Sequence, residues 1–511
     1  MMCGTMRDQD LVIGLDSSTT ATKAIAWRRD GSMAGIGRAS IPLASLGNSR
    51  YEQNPEDWWH AACVALKNLF QQVDANAVAA IAISNQRETF VPLDDDGEAV
   101  RPAILWLDQR CGEEVAWLAE RVGRERIHQI TGKPPDMAPV AYRIAWMLRH
   151  EPELFRRAKM FADVHTYLTW RLTGMLRTSW ASADPLGLFD MVQKHWSPEL
   201  MEVLGLSPTQ LPEAFAPGEV IGAVNTFASI ATGLPEGTAV VAGGGDGQAA
   251  GLGVNALGSG RAYLNLGTAV VSGTYSREYR VGQAWRTMGS CTGEGYYYET
   301  SLRSGAFLTD WFAHQICGGR NDDQIYTRLE AEAAGIAIGS EGLLALPYWG
   351  AVMTPYWDQN ARGCLIGLNA SHGRGHLYRA LLEGIAMEQA LVTGMIEEAT
   401  GEQVKEFIAI GGGATSELWC QIMADATGKK VLRSGTVEAS SLGVAMCAAV
   451  GAAWFSTHEE AARAMADKNL SATQPSEKNH ARYAELMKVY RELYPSLRGT
   501  FAQLARFNSI P

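Results

Sequence analysis

Residues 11–23 read LVIGLDSSTTATK, and this stretch decides the fold. An apolar run leads to Asp16, hydroxyl residues follow it directly, and a second apolar run occupies residues 24–27. The pattern predicts a β-strand, a tight turn and an antiparallel strand that returns beside the first. Backbone N–H groups and hydroxyls in such a turn can hold phosphate oxygens, and the aspartate can reach a hydrated metal ion. The alternative is an ordinary hairpin, because Ser and Thr are common in turns.

The composition describes a folded protein with more than one domain. The chain has 511 residues, which is too long for one compact core. Hydrophobic residues make up 47% and charged residues 19%, which excludes an intrinsically disordered chain. The formal net charge is -11, so neither nucleic acid nor an anionic membrane is expected as a partner. A phosphate ligand would therefore need donors concentrated at one site.

The cysteines and the apolar runs predict a cytoplasmic protein. The eight cysteines form no Cys-x-x-Cys pair and no Cys/His cluster with zinc spacing, which suits a reducing compartment. The first ten residues lack an apolar signal segment. The longest apolar run, residues 442–455, is too short to span a membrane and contains glycines.

Two polar clusters follow predicted strands in the first quarter of the chain. A buried strand is expected over residues 78–84, and another strand over residues 103–107 is followed by Asp108. The polar residues just after the first of these strands are Gln86, Arg87 and Glu88. Because α/β proteins place ligands at the carboxyl ends of buried strands, these side chains are candidates for holding hydroxyl groups. The alternative for the first cluster is a solvated loop.

Helices are expected between and after these strands. Asn54 and Pro55 are a typical N-cap and first residue for a helix over about residues 58–72. Further helices are expected over residues 143–149 and 152–171.

A second strong signal lies in residues 237–251, which read GTAVVAGGGDGQAAG. A buried strand is expected to lead into a glycine-rich turn that holds Asp246, with an Ala/Gly helix after it. The spacing of Gly245, Gly247 and Ala250 resembles a dinucleotide fingerprint. The charged residue inside the loop, and the lack of an acidic residue about 20 positions later, argue against NAD.

The opening pattern returns in the second half of the chain. Residues 261–272 again predict strand, polar turn and strand, with Gly267 and Thr268 in the turn. Two such hairpins suggest two similarly built domains that face each other across a cleft.

A third glycine-rich turn, residues 411–416, follows a predicted strand and precedes a helix expected over residues 417–427. Bare glycines at a helix N-terminus let a nucleotide lie against the backbone, where the helix dipole favours its phosphates. The alternative is a simple strand-to-helix turn. No Walker A loop and no His-Glu-x-x-His motif is present, so phosphate chemistry would use the cleft between the two domains.

Together these motifs resemble the FGGY family of sugar and polyol kinases over nearly the whole chain. The stretches that carry the resemblance are residues 15–20 with Lys23, residues 242–246, 266–268 and 411–414, and residues 355–363. The resemblance implies an α/β, two-domain actin-like (ribonuclease H-like) ATPase fold with a deep interdomain cleft. It implies an N-terminal sugar-binding domain over residues 1–255 and a C-terminal nucleotide-binding domain over residues 256–511.

The resemblance also implies transfer of the γ-phosphoryl group of ATP to a sugar or polyol hydroxyl, with Mg²⁺. Asp246 matches the position of the general base, and Asp16 matches the metal- and phosphate-side carboxylate. The residues that match the phosphate and nucleotide turns are Ser18, Thr19, Thr20, Lys23, Gly267, Thr268, Gly411, Gly412, Gly413 and Ala414. The candidates for binding the sugar are Gln86, Arg87, Glu88, Asp108, Asp246 and Gln248.

Different parts of the chain favour different substrates. Residues 149–153 and the Asp246 loop resemble xylulose kinases, whereas residues 85–89 resemble the substrate motif of glycerol kinases. Residues 137–139 lack the tyrosine that glycerol kinases carry there, and Gln248 lies two positions after Asp246, where glycerol kinases have a glutamine directly after the base. A ketopentose, above all D-xylulose, is therefore favoured, with glycerol or another polyol or sugar as the alternative.

A non-catalytic, nucleotide-switched actin-like module is a rival from a different class. Such a module would keep Asp16 and the glycine turns, but it would not need Asp246 beside the polar cluster at residues 86–88. The expected partners are a small sugar or polyol and ATP. The oligomeric state is left open, with a homodimer as one option.

Overall fold

The computed structural model describes residues 9–319, 322, 324–436, 438–466 and 468–508 of the chain. The expectation of no signal segment falls almost wholly on residues 1–8, which also contain Cys3, so both lie outside the described residues. The other seven cysteines are free thiols. None of the helices within the described ranges has the length and apolarity that crossing a bilayer requires.

The N-terminal half of the chain alternates strands with helices. Its strands are β1 (Leu11–Ser17), β2 (Ala21–Trp27), β3 (Met33–Ser40), β4 (Ala44–Ser45), β5 (Tyr51–Gln53), β6 (Val78–Asn85), β7 (Phe90–Leu93), β8 (Ala103–Ile104), β9 (Met160–Asp163), β10 (Arg177–Ser179), β11 (Phe189–Asp190), β12 (His195–Trp196), β13 (Glu213–Phe215), β14 (Val220–Ala223) and β15 (Ala239–Gly245). Its helices are α1 (Pro55–Leu69), α2 (Gly112–Val122), α3 (Arg124–Thr131), α4 (Val140–His150), α5 (Pro152–Arg157), α6 (Val164–Thr173), α7 (Trp180–Ala183), α8 (Pro198–Leu204), α9 (Thr226–Thr232) and α10 (Asp246–Gly253).

The C-terminal half has fewer strands and longer helices. Its strands are β16 (Arg261–Leu266), β17 (Val270–Ser276), β18 (Arg286–Gly289), β19 (Tyr296–Leu302), β20 (Leu344–Leu346), β21 (Cys364–Ile366), β22 (Glu406–Ile410), β23 (Lys430–Arg433) and β24 (Ser471–Thr473). Its α-helices are α11 (Ala306–Trp311), α12 (Ile325–Ala334), α13 (Arg374–Thr400), α14 (Glu417–Thr427), α15 (Ala439–Gly451), α16 (His458–Met465) and α17 (Glu477–Asn508).

The opening hairpin forms as the sequence predicts. β1 and β2 pair antiparallel. Ser18 closes the turn between them, because its backbone N–H donates to the carbonyl of Ala21 at 2.9 Å and its Oγ donates to the same oxygen at 2.8 Å. β1 also pairs in parallel with β6, which places Asp16 level with Ser84 at the carboxyl ends of both strands.

Both halves are built on the same sheet order. In the N-terminal sheet, β3, β2 and β1 are antiparallel neighbours, and β6 and β15 extend the sheet in parallel with β1. In the C-terminal sheet, β19, β17 and β16 are antiparallel neighbours, and β22 and β23 extend the sheet in parallel with β16. The two similar hairpins are therefore the visible part of a repeated sheet topology, as expected for the two-domain α/β fold.

Each sheet is covered by a helix that follows a strand of the other sheet. α15 comes after β23, yet its Leu442 and Val444 pack in one apolar cluster with Val12 and Val241 of the N-terminal sheet. α10 comes after β15, yet Ala250 packs with Tyr263 and Ile408 of the C-terminal sheet. The two helices also pack against each other, so they form the junction between the halves.

Glycine residues allow this close packing. A Cβ atom on Gly443 would lie 1.9 Å from the carbonyl oxygen of Ala249 in α10, and one on Gly14 would lie 2.0 Å from the carbonyl oxygen of Ser441 in α15. Because protein interiors have no spare room at such distances, any side chain would push α15 away from α10 and β1. This close packing of α15 against α10 and β1 fixes the positions of Asp16, near the end of β1, and Asp246, at the start of α10.

Two predicted helices are confirmed, the first with bounds shifted by three residues and the second with the predicted bounds. The helix expected over residues 58–72 is α1, and the side chain of Asn54 caps it by accepting a hydrogen bond from the N–H of Glu56 at 3.2 Å. The helix expected over residues 417–427 is α14, which has the same bounds.

The prediction of one continuous helix over residues 152–171 is wrong. The structure has two helices there, α5 and α6, separated by the strand β9. β9 pairs with β7, and its apolar side chains are buried. Tertiary burial therefore overrides the helical pattern of the sequence. Asp163 then caps α6 by accepting a hydrogen bond from the N–H of Thr166 at 2.7 Å.

Two other expectations are corrected at strand ends. β8 stops at Ile104 rather than at residue 107, because the chain turns there and the N–H of Asp108 donates to the carbonyl of Leu105 at 3.0 Å. Residues 243–245 are strand rather than turn, since Gly244 and Gly245 pair with the end of β6. Asp246 therefore begins a helix directly at a strand end.

Candidate active site

A cavity of about 230 Å³ lies where the two halves of the chain meet. The lining residues from the N-terminal half are Asp16, Lys23, Arg87, Asp246, Gly247 and Ala250. The polar and glycine residues from the C-terminal half that line it are Tyr263, Asn265, Gly411, Glu438 and Ser440. The fold thus brings the first hairpin, the end of β6, the start of α10 and the third glycine turn to one place.

Asp246 is held beside a cation. Its Oδ1 lies 3.1 Å from Nε of Arg87 and accepts the backbone N–H of Gly247 at 2.7 Å. The side chain is 44% exposed, at the cavity. Burial in the cleft raises the pKa of this carboxyl above its ordinary value, and the charge of Arg87 opposes that rise. Asp246 is therefore an accessible carboxylate with a raised proton affinity.

Asp16 is a second carboxylate in the same cavity. Its Oδ1 accepts a hydrogen bond from Oγ of Ser84 at 2.8 Å. Burial raises the pKa of Asp16 to about 6; the hydrogen bond from Ser84 lowers it, and the negative charge of Asp246 raises it further. The ionised form of Asp16 would therefore be favoured by a bound cation.

The charges of the cavity fit a hydrated Mg²⁺ ion. Three carboxylates, Asp16, Asp246 and Glu438, line the cavity against two cations, Lys23 and Arg87. Within the described ranges, no group of three or more His, Cys, Asp or Glu side chains could by itself hold a metal ion. Mg²⁺ is usually bound by one or two carboxylates together with waters and substrate phosphates, and Asp16 is the carboxylate of this cavity that would hold it.

The cavity contains residues that sequence reasoning missed. Nζ of Lys23 forms an ion pair with Oε2 of Glu438 at 2.6 Å, and Oγ of Ser440 donates to the carbonyl of Asp246 at 3.0 Å. Asn265 lines the cavity from the end of β16. The local signal for Glu438 and Ser440 is an acidic residue and serines at the start of an otherwise apolar helix.

A buried charge network joins the two halves beside Asp246. Nη1 of Arg87 donates to Oε2 of Glu299 at 2.8 Å, and Glu299 lies on β19 of the C-terminal sheet. Nη1 of Arg286 donates to Oε1 of Glu88 at 2.7 Å, and its Nη2 lies 2.6 Å from Oε1 of Glu299. The hydroxyl of Tyr263 donates to Glu299 at 2.6 Å. The sequence indicated Arg87 and Glu88 but gave no sign of the partners on β16, β18 and β19.

The structure does not bring Gln86 and Asp108 to the cavity. Nε2 of Gln86 donates to Oε1 of Gln53 at 3.2 Å. Both carboxylate oxygens of Asp108 accept hydrogen bonds from the Arg110 side chain at 2.8 Å, and Oδ2 also accepts the N–H of Tyr51 at 2.8 Å. Their polar atoms are used within the N-terminal half.

Gln248 is close to the network but is turned away from the cavity. Its Nε2 donates to the carbonyl of Ala181 at 2.9 Å and to Oδ2 of Asp184 at 3.2 Å. Its Oε1 lies 3.5 Å from Nη1 of Arg87. Gln248 therefore contacts Arg87 but does not itself line the cavity.

The hydroxyls of the first turn lie outside the cavity lining. Oγ of Ser18 closes the turn, Oγ1 of Thr19 accepts the indole N–H of Trp106 at 2.9 Å, and Thr20 is exposed. Gly267 and Thr268 form the turn between β16 and β17, where their carbonyls accept the N–H groups of Ala306 and Gly305.

The third turn is open at one glycine. Gly411 lines the cavity and has φ +85°, a conformation that favours glycine. A Cβ atom on Gly412 would have no atom of the described residues within 4 Å. A short 3₁₀ turn over residues 412–415, which contains Gly413 and Ala414, then leads to α14. Bare backbone thus faces open space at the start of this helix segment.

The sequence matches the FGGY family of carbohydrate kinases in both halves: the N-terminal domain over residues 11–253 and the C-terminal domain over residues 262–452. The chain belongs to the FGGY family. The resemblance seen in its motifs is thereby confirmed, and the protein is an ATP-dependent sugar kinase of this family.

Similar proteins are named for three different substrates. A xylulose kinase of Bacillus subtilis is 30% identical over 97% of this chain and 99% of its own length. A glycerol kinase of Thermococcus kodakarensis is also 30% identical, over 95% of this chain and 96% of its own. The crystal structure of a gluconate kinase from Lactobacillus acidophilus covers 97% of this chain and 99% of its own at a TM-score of 0.91 and 24% identity, which shows the shared FGGY fold.

Proposed function

We propose that this FGGY kinase transfers the γ-phosphoryl group of ATP, with Mg²⁺, to a hydroxyl of a ketopentose, with D-xylulose as the best candidate. The observation that carries the proposal is Asp246, an accessible carboxylate at the junction of the two halves, held beside Arg87. The full-length similarity to xylulose kinases supports the choice of sugar.

Asp246 would act as the general base. Its carboxylate accepts the proton of the sugar hydroxyl while that oxygen forms a bond to the γ-phosphorus, and the bond from phosphorus to the β,γ-bridging oxygen breaks to release ADP. Burial favours this role, because a carboxylate with a raised pKa takes up a proton more readily. Arg87 would keep the carboxylate ionised until the sugar arrives.

The other cavity residues would position the phosphates. Mg²⁺, held by Asp16 and the phosphate oxygens, would neutralise the charge that develops on the transferred group. Lys23 lines the same cavity and would approach the phosphates once they compete with Glu438. Gly411 and Gly412 would leave room for the nucleotide.

The balance of charge beside Asp246 supports a neutral sugar. Arg87 is paired with both Glu299 and Asp246, and Arg286 with both Glu88 and Glu299. No arginine of this network is left without an acidic partner, so none is free to bind the carboxylate of an aldonic acid such as gluconate. Gluconate is therefore expected to be a poor substrate despite the shared fold.

Glycerol is the second candidate, because residues 85–89 resemble the glycerol kinase motif and a glycerol kinase is equally similar in sequence. A coupled ADP-release assay with D-xylulose, other ketopentoses, glycerol and gluconate separates these cases. We expect the highest kcat/KM with D-xylulose or a close ketopentose. A value for glycerol that equals or exceeds those for all ketopentoses would reassign the substrate.

We also propose that the enzyme works in the cytoplasm, where its seven described thiols stay reduced. The division into a sugar-binding domain up to Asn255 and a nucleotide-binding domain from Ala256 stays a proposal, at a point in the loop between α10 and β16.

A further inference from the structure

Glu299 lies at the centre of the charge network and is fully buried on β19. Its Oε2 accepts hydrogen bonds from Arg87 at 2.8 Å and from Tyr263 at 2.6 Å, and its Oε1 accepts one from Nε of Arg286 at 2.7 Å. Arg87 comes from the N-terminal half, whereas the other three residues come from the C-terminal sheet. Glu299 is therefore the point at which the C-terminal sheet holds a proposed sugar-binding residue of the other half.

Glu299 remains ionised despite its burial. Burial alone would raise its pKa, but the charges of Arg286 and Arg87, with hydrogen bonds from Arg87 and Tyr263, lower the pKa to about 2. Glu88, Asp246 and the buried Lys133 are the other charged groups that interact with these arginines. A permanent negative charge thus faces the far end of the Arg87 guanidinium group.

The guanidinium group of Arg87 is shared between two carboxylates. Its Nη1 binds Glu299, while its Nε edge lies 3.1 Å from Asp246. An arginine side chain has several rotatable bonds, and a second carboxylate on the opposite side fixes which edge faces the cavity. Without the charge of Glu299, the whole fork of Arg87 would be free to close on Asp246 in a bidentate pair.

We infer that Glu299 is a positioning residue for the sugar site: it holds Arg87 so that only one edge of the guanidinium group contacts Asp246 and the remaining surface can meet the sugar. This inference rests on the proposed sugar-binding role of Arg87. It also means that the C-terminal half, proposed as the nucleotide-binding domain, completes the sugar site.

The test compares Glu299→Gln with Glu299→Asp and with a control elsewhere in the same half. Glu383 on α13 is a close match, because it is also buried and accepts hydrogen bonds from an arginine, Arg379, at 2.8 Å and from a tyrosine, Tyr483, at 2.9 Å. Glu383 does not line the cavity. Glu383→Gln therefore reports the loss of stability that any such buried pair would cause.

In Glu299→Gln we expect the sugar KM to rise about ten- to a hundredfold, with the ATP KM changed less than about threefold. Glu299→Asp should recover part of the loss, because the charge is kept. Glu383→Gln should lower the thermal midpoint but leave the sugar KM unchanged. Equal effects on the sugar and ATP KM values in Glu299→Gln, or an unchanged sugar KM, would overturn the inference.

A double-mutant cycle shows whether Glu299 acts through Arg87. The loss from Glu299→Gln should largely disappear in an Arg87→Ala background, because the group it positions is absent. Additive losses would overturn the inference while leaving the proposed sugar site intact. Unchanged sugar kinetics in Arg87→Ala itself would instead contradict the proposed function. Circular dichroism and ATP-analogue binding identify any variant that fails to fold, and in that case the comparison uses Glu299→Asp.

Discussion

Nε of Arg87 and Oδ1 of Asp246 lie 3.1 Å apart, although the residues belong to different elements, one after β6 and the other at the start of α10. The pair places a fixed positive charge beside the carboxylate proposed as the base. A neighbouring cation favours the ionised form of a carboxylate, and burial favours the protonated form.

Asp246→Asn should lower kcat about 10²–10⁴-fold, because a general base contributes about that much. The amide keeps the size of the side chain, so the Kd values for sugar and ATP should change far less. Single-turnover rates and equilibrium binding of both ligands are the measurements. Retention of more than about a tenth of the wild-type rate, with chemistry shown to be rate-limiting, would exclude Asp246 as the base.

Asp16→Asn serves as the contrasting variant. It should raise the Mg²⁺ concentration needed for half-maximal activity and weaken ATP binding, because one carboxylate ligand for the ion is lost. The sugar Kd should stay close to the wild-type value. A Mg²⁺ titration that superimposes on that of the wild type would remove Asp16 from the metal site.

Glu88→Ala should raise the sugar KM about tenfold or more, since it leaves Arg286 with one acidic partner fewer. The freed positive charge should also raise the ratio of kcat/KM for gluconate to that for D-xylulose. The ATP KM should be unaffected. An unchanged ratio between the acidic and the neutral sugar would contradict the argument from charge balance.

Gly412→Val should raise the ATP KM on the order of tenfold, because a branched side chain would fill space proposed for the nucleotide. The fold should survive, since nothing described lies within 4 Å of the new Cβ atom. Gly373→Val is the matched control: no described atom lies within 4 Å of its Cβ position either, but it is at the start of α13 and, unlike Gly412, does not follow a cavity-lining glycine. Equal ATP KM values in the two variants would show that the third glycine-rich turn does not contact the nucleotide.

Glu388 gives a prediction about pH and stability. It is buried on α13 and accepts hydrogen bonds from the hydroxyls of Tyr490 at 2.7 Å and Tyr348 at 3.0 Å. Burial raises its pKa from 4.5 to about 7, although both tyrosine hydrogen bonds lower it. The folded protein therefore binds this proton more tightly than the unfolded chain does. The contribution of Glu388 to stability is fully present below pH 4.5 and is lost as the pH rises through about 7.

Glu388→Gln imitates the protonated carboxyl and should remove this dependence. Its stability relative to the wild type should increase between pH 5 and pH 8, by roughly 3 kcal/mol at most. Denaturant midpoints measured at several pH values provide the test. Parallel curves for the two proteins across this range would show that Glu388 is not the titrating group.

The parts of the fold that could be predicted from sequence are those with a local cause. The hairpin around Asp16 follows from two apolar runs separated by a stretch of hydroxyl residues, and α14 follows from its N-cap Ser416 and the stop at Gly428. Asp246 could be identified from the sequence as a candidate site residue, because it follows a buried strand in a glycine-rich segment. Each signal lies within about a dozen residues of the feature that it predicts.

The parts that could not be predicted depend on contacts between distant residues. Arg87 and Glu299 are separated by 212 positions, and Lys23 and Glu438 by 415. No local pattern distinguishes Glu299 from other residues of a strand, because its role is defined by the two arginines that meet there. Asp108 shows the reverse case: its position after an apolar run suggested a ligand, but Arg110 binds it from two residues away.

The exchange of α10 and α15 between the sheets has a consequence for how the chain can be divided. A fragment that stops at residue 255 would lack the helix that covers Val12 and Val241, and the complementary fragment would carry Leu442 and Val444 with no sheet to bury them. Each piece alone would expose apolar surface and aggregate, whereas co-expressed pieces could complement each other. The two repeats are thus mutually dependent for folding, and the cleft between them exists only once both have been synthesised.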